Sequence, residues 1–301
     1  MKNIINQKQP LVSVIMPVYN AGDFLLEAIE SILNQTYKNF EFIIVDDAST
    51  DNSWKILKKF KKKDKRIKIY RLKENVGVSK TVKYAIKKAK GKFLARMDAD
   101  DVTSPQRLEK ELNYLLKNQE AVAIGTQCRL INKEGKIIGK KIFPIKFEDI
   151  YKYIFIFIPV QQPTLMINRT KLPKDFEYYH DGLNTAEEVE LIFKLFQYGK
   201  VENLNKFLHY YRIHDKNTSL SNIKKTFLIT FYSRLKAIFK YNYKPTVKGL
   251  VISFVQALIV LILPSTLIIK IYWFIKNFDK SKLLAKNLFV KQSKKISLLF
   301  R

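Results

Sequence analysis

The run Leu11-Val-Ser-Val-Ile-Met16 is apolar without helical spacing and stops at Pro17 and Asn20, which predicts a strand buried on both faces. Phe24, Ala28, Ile29 and Ile32 then recur at helical spacing. The alternation continues with strands over 40–45, 67–72 and 93–97 and helices over 51–60, 78–89 and 105–116. Four βα units in succession predict an α/β domain, a Rossmann-like, mostly parallel sheet with helices on both faces. After Glu120 the pattern loosens into strands over 121–131 and 136–143, a helix over 147–157, a strand over 164–168 and a helix over 186–198. We read 11–120 and 121–220 as two halves of one domain, 1–220.

The last quarter follows a different pattern. Ile223, Phe227, Phe231, Leu235 and Ile238 share one helical face, with Lys224, Lys225, Arg234, Lys236 and Lys240 elsewhere, as in a basic interfacial helix. Residues 249–269 carry no charge over 21 positions, long enough to span a bilayer, but Pro264 interrupts them and Lys244, Lys248, Lys270 and Lys276 flank both sides. The expectation is a shallow or re-entrant anchor, and the nine cations that follow, with Asp279 as the sole acid, suit an anionic leaflet. Residues 221–301 are therefore expected to form a membrane-associating tail.

Composition narrows the classes. A hydrophobic share of 47% in 301 residues supplies an ample core and excludes general disorder. The single cysteine, Cys128, excludes a disulfide framework, and the N-terminus lacks the long apolar core of a secretion signal. The domain is thus expected at the cytoplasmic face of the membrane. The net charge of +28 comes from 46 lysines against 9 arginines, a balance that fits an anionic lipid surface better than a reader of base edges, so nucleic acid is not an expected partner.

Against that background Asp98, Asp100 and Asp101 stand out, closing the apolar strand that ends at Met97, just before a helix start at Ser104-Pro105. Carboxylates at the C-terminal mouth of such a sheet suit Mg²⁺ or Mn²⁺ holding a phosphate, although a solvated strand-to-helix turn would have the same composition. Three other segments occupy equivalent positions: Pro17-Val-Tyr-Asn20, Asp46-Asp-Ala-Ser-Thr-Asp51 and Asn75-Val-Gly-Val-Ser79.

This ordered set resembles family 2 glycosyltransferases, inverting enzymes of the GT-A fold that move a sugar from a nucleotide diphosphate. The resemblance covers roughly residues 11–220. It implies a nucleotide-sugar site formed by Pro17, Tyr19, Asn20 and Asp47 around the base and by Asp98 toward ribose or donor sugar. It implies a divalent metal on Asp100. Asp101 is expected to order the turn and Asp51 to cap the next helix. The base that deprotonates the acceptor falls on Glu188, in the stretch Ala186-Glu-Glu-Val-Glu-Leu191, where the family usually has aspartate. Thr185-Ala-Glu-Glu188 is equally a capping box, and Glu187 and Asp181 are the fallback bases. Downstream, Tyr210-Tyr-Arg-Ile-His214 resembles the family's Tyr-Arg-x-His segment, placing Arg212 on the diphosphate and His214 in the metal shell. Thr81-Val82-Lys83 departs from the family's Ala-Arg-Asn, leaving Lys83 as a substitute phosphate contact. The Gln-x-x-Arg-Trp motif of processive synthases is absent, which points to addition of one sugar.

The expected partners are a nucleotide-sugar donor, a glycan or lipid-linked acceptor near residues 153–162, and the membrane surface. Two other readings remain: a polyprenyl-phosphate glycosyltransferase, which needs no base, and a catalytically inactive basic protein that binds membrane or nucleic acid and has no metal-dependent nucleotide binding.

Overall fold

A computed structural model describes residues 9–180, 187–214 and 223–268; the side chain of Glu187 is outside the description. Strands β1 (Val12–Val18), β2 (Phe40–Asp46), β3 (Ile67–Arg71) and β4 (Phe93–Arg96) are parallel and lie in the order β3-β2-β1-β4. The alternating pleat of β1 sorts its side chains. Val12, Val14, Met16 and Val18 join a core with helices α1 (Leu25–Leu33), α2 (Ser53–Lys63) and α4 (Arg107–Lys117), whereas Ile15 joins the opposite core. That second core holds α3 (Val78–Lys88) and α6 (Glu187–Leu195). Helices therefore cover both faces, as the sequence pattern predicts.

The strand order reverses between β1 and β4, and the carboxyl ends of those two strands form the crevice where ligands of open α/β sheets bind. Gly91 is required just before β4, because a Cβ there would come within 2.6 Å of the Ser13 backbone nitrogen.

Beyond β4 the sheet is mixed. β8 (Met166–Asn168) runs antiparallel to both β4 and β6 (Ala121–Ile131), so it joins the two halves. β7 (Ile137–Lys141) pairs with β6 as a hairpin, while α5 (Phe147–Tyr153) lies between β7 and β8 in the chain. Two strands escaped the sequence reading: β5 (Val102–Thr103) and the long β9 (Lys200–Arg212), which runs parallel to β6 and antiparallel to β5. The polar composition of β9 concealed it.

Helices α7 (Ile223–Lys240) and α8 (Val247–Ile262) pack as an antiparallel pair, with the rings of Phe231 and Phe254 5.4 Å apart. On α7, Thr230, Ser233, Arg234 and Ala237 face inward, while Phe227, Phe231, Leu235 and Ile238 keep partial exposure; Arg234, expected among the cations of an interfacial helix, is buried instead. α8 stops at Ile262, two residues ahead of Pro264, and no helix among the described residues is long and apolar enough to cross a membrane.

Candidate functional site

The floor of the crevice is the turn that follows β4. One carboxylate oxygen from each of Asp98, Asp100 and Asp101 lies within 4.8 Å of the others. Their surroundings divide them. Asp98 is held by Arg96, whose Nη2 lies 2.8 Å from Oδ1. Asp101 is buried and faces β9, its Oδ2 2.7 Å from His209 Nε2 and its Oδ1 accepting the Arg212 backbone N–H at 2.9 Å. It orders the turn, in the role expected for it. Asp100 keeps 29% of its side chain exposed, and its Oδ2 lies 2.9 Å from His214 Nε2.

Withdrawal from water pushes the Asp98 carboxyl up, Arg96 opposes the shift, and the neighbouring Asp100 adds to it. Asp101 is driven well above the usual carboxylate range by burial and then by Asp100 and Asp98. Burial drives His209 well below its ordinary value, aided by Arg107 and Lys141.

A divalent cation fits this donor set. It would relieve the crowding of negative charge, and oxygen ligands with one imidazole suit Mn²⁺ or Mg²⁺. Asp98, Asp100 and Asp101 supply the clustered ligand atoms, and His214 Nε2 lies 2.9 Å from Asp100 Oδ2 at their edge.

Arg212 occupies a different place from the one the sequence suggested. It is fully buried, and its guanidinium donates to the backbone carbonyls of Asp100 (2.8 Å), Asn132 (3.2 Å) and Lys133 (2.8 Å) and pairs with Glu27. The Phe24 ring lies 4.8 Å from the guanidinium carbon and also 4.8 Å from the imidazole of His214. Arg212 thus clamps the aspartate turn to α1, β9 and the turn after β6, a positioning role where a direct diphosphate contact was expected.

The second wall comes from the ends of β1 and β2. Asp47 is buried, and its two carboxylate oxygens accept the backbone N–H groups of Val76 and Gly77, each at 2.9 Å. The carboxylate still has lone pairs for a further donor. Asn20 adopts φ 49°, a left-handed conformation that asparagine tolerates, and its Oδ1 accepts the Thr50 N–H at 2.8 Å. Ala48, also left-handed at φ 57°, turns the chain sharply after Asp47. Pro17 is half-buried and Tyr19 is 51% exposed. Asp51 accepts the N–H groups of Ser53 and Gly22, each at 2.9 Å, and so steadies the entry to α2 as expected.

Arg71, which the sequence reading passed over, reinforces this wall by pairing with Asp46 at 3.0 Å and donating to the Ser49 carbonyl at 2.7 Å. Arg96, His209, Glu27 and Phe24 were likewise missed. An isolated residue gives no sequence signal for a contact made across the sheet.

On the other side, Glu188 sits in the first turn of α6, half-buried and engaged in a polar interaction. The fallback Asp181 and the cap position Thr185 lie outside the described residues, as does the side chain of Glu187. Lys83 is half-buried on α3.

Comparison with known proteins agrees with this geometry. The profile described as Glycosyl transferase family 2 matches residues 13–176. An O-antigen biosynthesis glycosyltransferase of Escherichia coli, WbnJ, is 36% identical over 217 residues, covering 70% of this chain and 83% of its own. A putative teichuronic acid biosynthesis glycosyltransferase of Bacillus subtilis, TuaG, is 31% identical, covering 72% and 83%. Among solved structures, residues 1–349 of Staphylococcus aureus TarS in complex with UDP-GlcNAc superpose with a TM-score of 0.60 at 21% identity, over 74% of this chain and 66% of that one. A Pyrobaculum calidifontis mannosyltransferase in complex with GDP-Man and Mn²⁺ gives 0.61 at 15% identity, over 86% and 72%. At those identities the structural likeness speaks for the fold.

Proposed function

The chain belongs to glycosyl transferase family 2, and from that premise we propose that it transfers a single sugar, with inversion, from a UDP-sugar to a glycan or lipid-linked glycan acceptor in a metal-dependent reaction. The observation that carries the donor half of this reading is the meeting of Asp100 and His214 at 2.9 Å, beside Asp98, in the crevice between β1 and β4. Bound Mn²⁺ or Mg²⁺ would neutralise charge growing on the departing diphosphate.

The protein's own groups supply the rest. The carboxylate of Asp47, fixed by two backbone N–H groups, is disposed to accept the imide N–H of uracil, and Tyr19 offers a stacking face. Asp98 is held ready for a sugar hydroxyl by Arg96. Arg212 keeps the aspartate turn in register with β9. Glu188 accepts the proton of the acceptor hydroxyl as it attacks the anomeric carbon from the face opposite the diphosphate. The names of the E. coli and B. subtilis relatives support a surface glycan as the acceptor class.

The test is calorimetry with UDP-, GDP- and dTDP-sugars, with and without Mn²⁺, on the protein and on Asp100→Ala. Binding of a UDP-sugar that requires Mn²⁺ and fails in the variant supports the reading; retained metal-dependent binding in Asp100→Ala overturns the metal assignment.

A further inference from the structure

The inward stripe of helices α7 and α8 is mostly small or polar: Thr230, Ser233, Arg234 and Ala237 of α7 and Gly249, Ser253 and Ala257 of α8 are buried, with Val260 beside them. A Cβ on Gly249 would approach the Phe155 Cβ to 3.3 Å, so α8 lies close against the segment after α5. At the centre of the junction the buried Arg234 donates to the Ile154 carbonyl at 2.9 Å and reaches Ser253 Oγ and Gln256 Oε1, each at 3.4 Å. Gln256 in turn donates to the Ile156 carbonyl at 3.1 Å. Polar contacts thus help mount the pair on the catalytic domain beside Ile229, Ile238 and Leu250, and many of the remaining large apolar side chains are left outside.

Of the nineteen exposed large apolar residues among the described ones, twelve fall within 223–268, including Phe239 at 88%, Ile262 at 77% and Leu258 at 58%. Such a patch marks an interaction surface. Its electrostatics select the occupant. No acid occurs between Asp215 and Asp279, while ten cations do, and Lys240, Lys244 and Lys248 are exposed around the α7–α8 turn. Two copies of this chain face to face would set like charge against like. Residues 280–301 add seven more cations and no acid. α8 has 16 residues, about 24 Å at 1.5 Å per residue, short of the roughly 30 Å hydrocarbon core, so it suits the plane of an interface.

We propose that the outer face of the α7–α8 pair docks on an anionic lipid bilayer, inserting Phe254, Leu258 and their neighbours at the headgroup boundary while the lysines meet lipid charge. This inference stands apart from the catalytic reading, since it requires neither donor nor metal.

Leu258→Cys in the full-length chain, labelled with an environment-sensitive fluorophore, tests it; Cys128 is buried and its thiol is pushed up to about 12, so labelling is confined to the new site. Vesicles of phosphatidylcholine containing phosphatidylglycerol are expected to shift the emission to the blue, and Lys62→Cys on α2 to show no shift. In co-sedimentation, Phe254→Glu/Leu258→Glu is expected to lose roughly tenfold or more of vesicle affinity, with UDP-sugar binding unchanged as the check that the variant is folded. No shift with anionic vesicles overturns the proposal. So does emission that is blue from the outset and indifferent to lipid, which means the chain's own residues cover the face, or a shift that follows protein concentration without lipid, which means a second copy does.

Discussion

Asp100 Oδ2 and His214 Nε2 lie 2.9 Å apart although 114 positions separate them in the chain. The contact ties the end of β4 to the residues just past β9, and a metal ion would draw on both. We expect Asp100→Ala to abolish Mn²⁺-stimulated donor binding and His214→Ala to weaken Mn²⁺ affinity by at least the roughly 10–100-fold typical of disturbed metal surroundings. Titration of each variant with Mn²⁺ by calorimetry checks both outcomes.

Glu188→Gln separates its two candidate roles. A general base is worth about 10²–10⁴ in rate, so kcat should fall by that order with donor affinity unchanged. If Glu188 only supports the start of α6, activity persists and the thermal midpoint drops instead, in line with the roughly 1 kcal/mol of a lost cap. Steady-state kinetics and thermal unfolding on the same preparation distinguish these results. An acceptor that is itself a lipid phosphate would also leave the Gln variant active.

Arg212 serves three backbone carbonyls at once with its planar fork, and lysine cannot reproduce that geometry. Arg212→Lys should therefore lower stability by roughly 2–3 kcal/mol, because buried carbonyls lose their donors. Denaturant unfolding measures this. Donor binding should weaken at the same time, since the turn carrying Asp100 loses its clamp.

Below the sheet, Arg107 and Glu111 form a fully buried pair at 2.9 Å, with Glu111 Oε2 lacking a partner among the described residues. Burial pushes the Glu111 carboxyl from 4.5 up to about 7, and Arg107 offsets this only in part. Between those values the folded protein holds a proton that the unfolded chain has released, so this group's contribution to stability falls as pH rises from about 5 to 7 and levels off above. Glu111→Gln should flatten that slope, as read from chemical denaturation across the same pH range.

The first half of the fold was legible because its strands are buried on both faces and its helices keep strict apolar spacing. The aspartate turn was legible through its contrast with a lysine-rich chain. β9 was not, because Asn203, His209 and Arg212 are polar side chains whose burial is made possible by partners in distant loops and turns, which hydropathy cannot register. The role of Arg212 failed for the same reason, since a motif supplies a residue type without showing which side of the crevice wall it occupies. On α7 the burial of Arg234 was hidden for the same reason, since its partners, the Ile154 carbonyl, Ser253 and Gln256, lie far away in the chain.

The late position of β9 also sets the order in which the site can come into being during synthesis. The strands β1 to β4 and all three aspartates leave the ribosome well before Ala121, yet the partners of Asp101 are residues 209 and 212 and that of Asp100 is residue 214. A nascent chain that ends within β6 can form the parallel half of the sheet, but its carboxylates have only Arg96 to face them. The proposed divalent-ion site would thus be completed in a single late step, when the C-terminal end of β9 slots in beside β5 and β6.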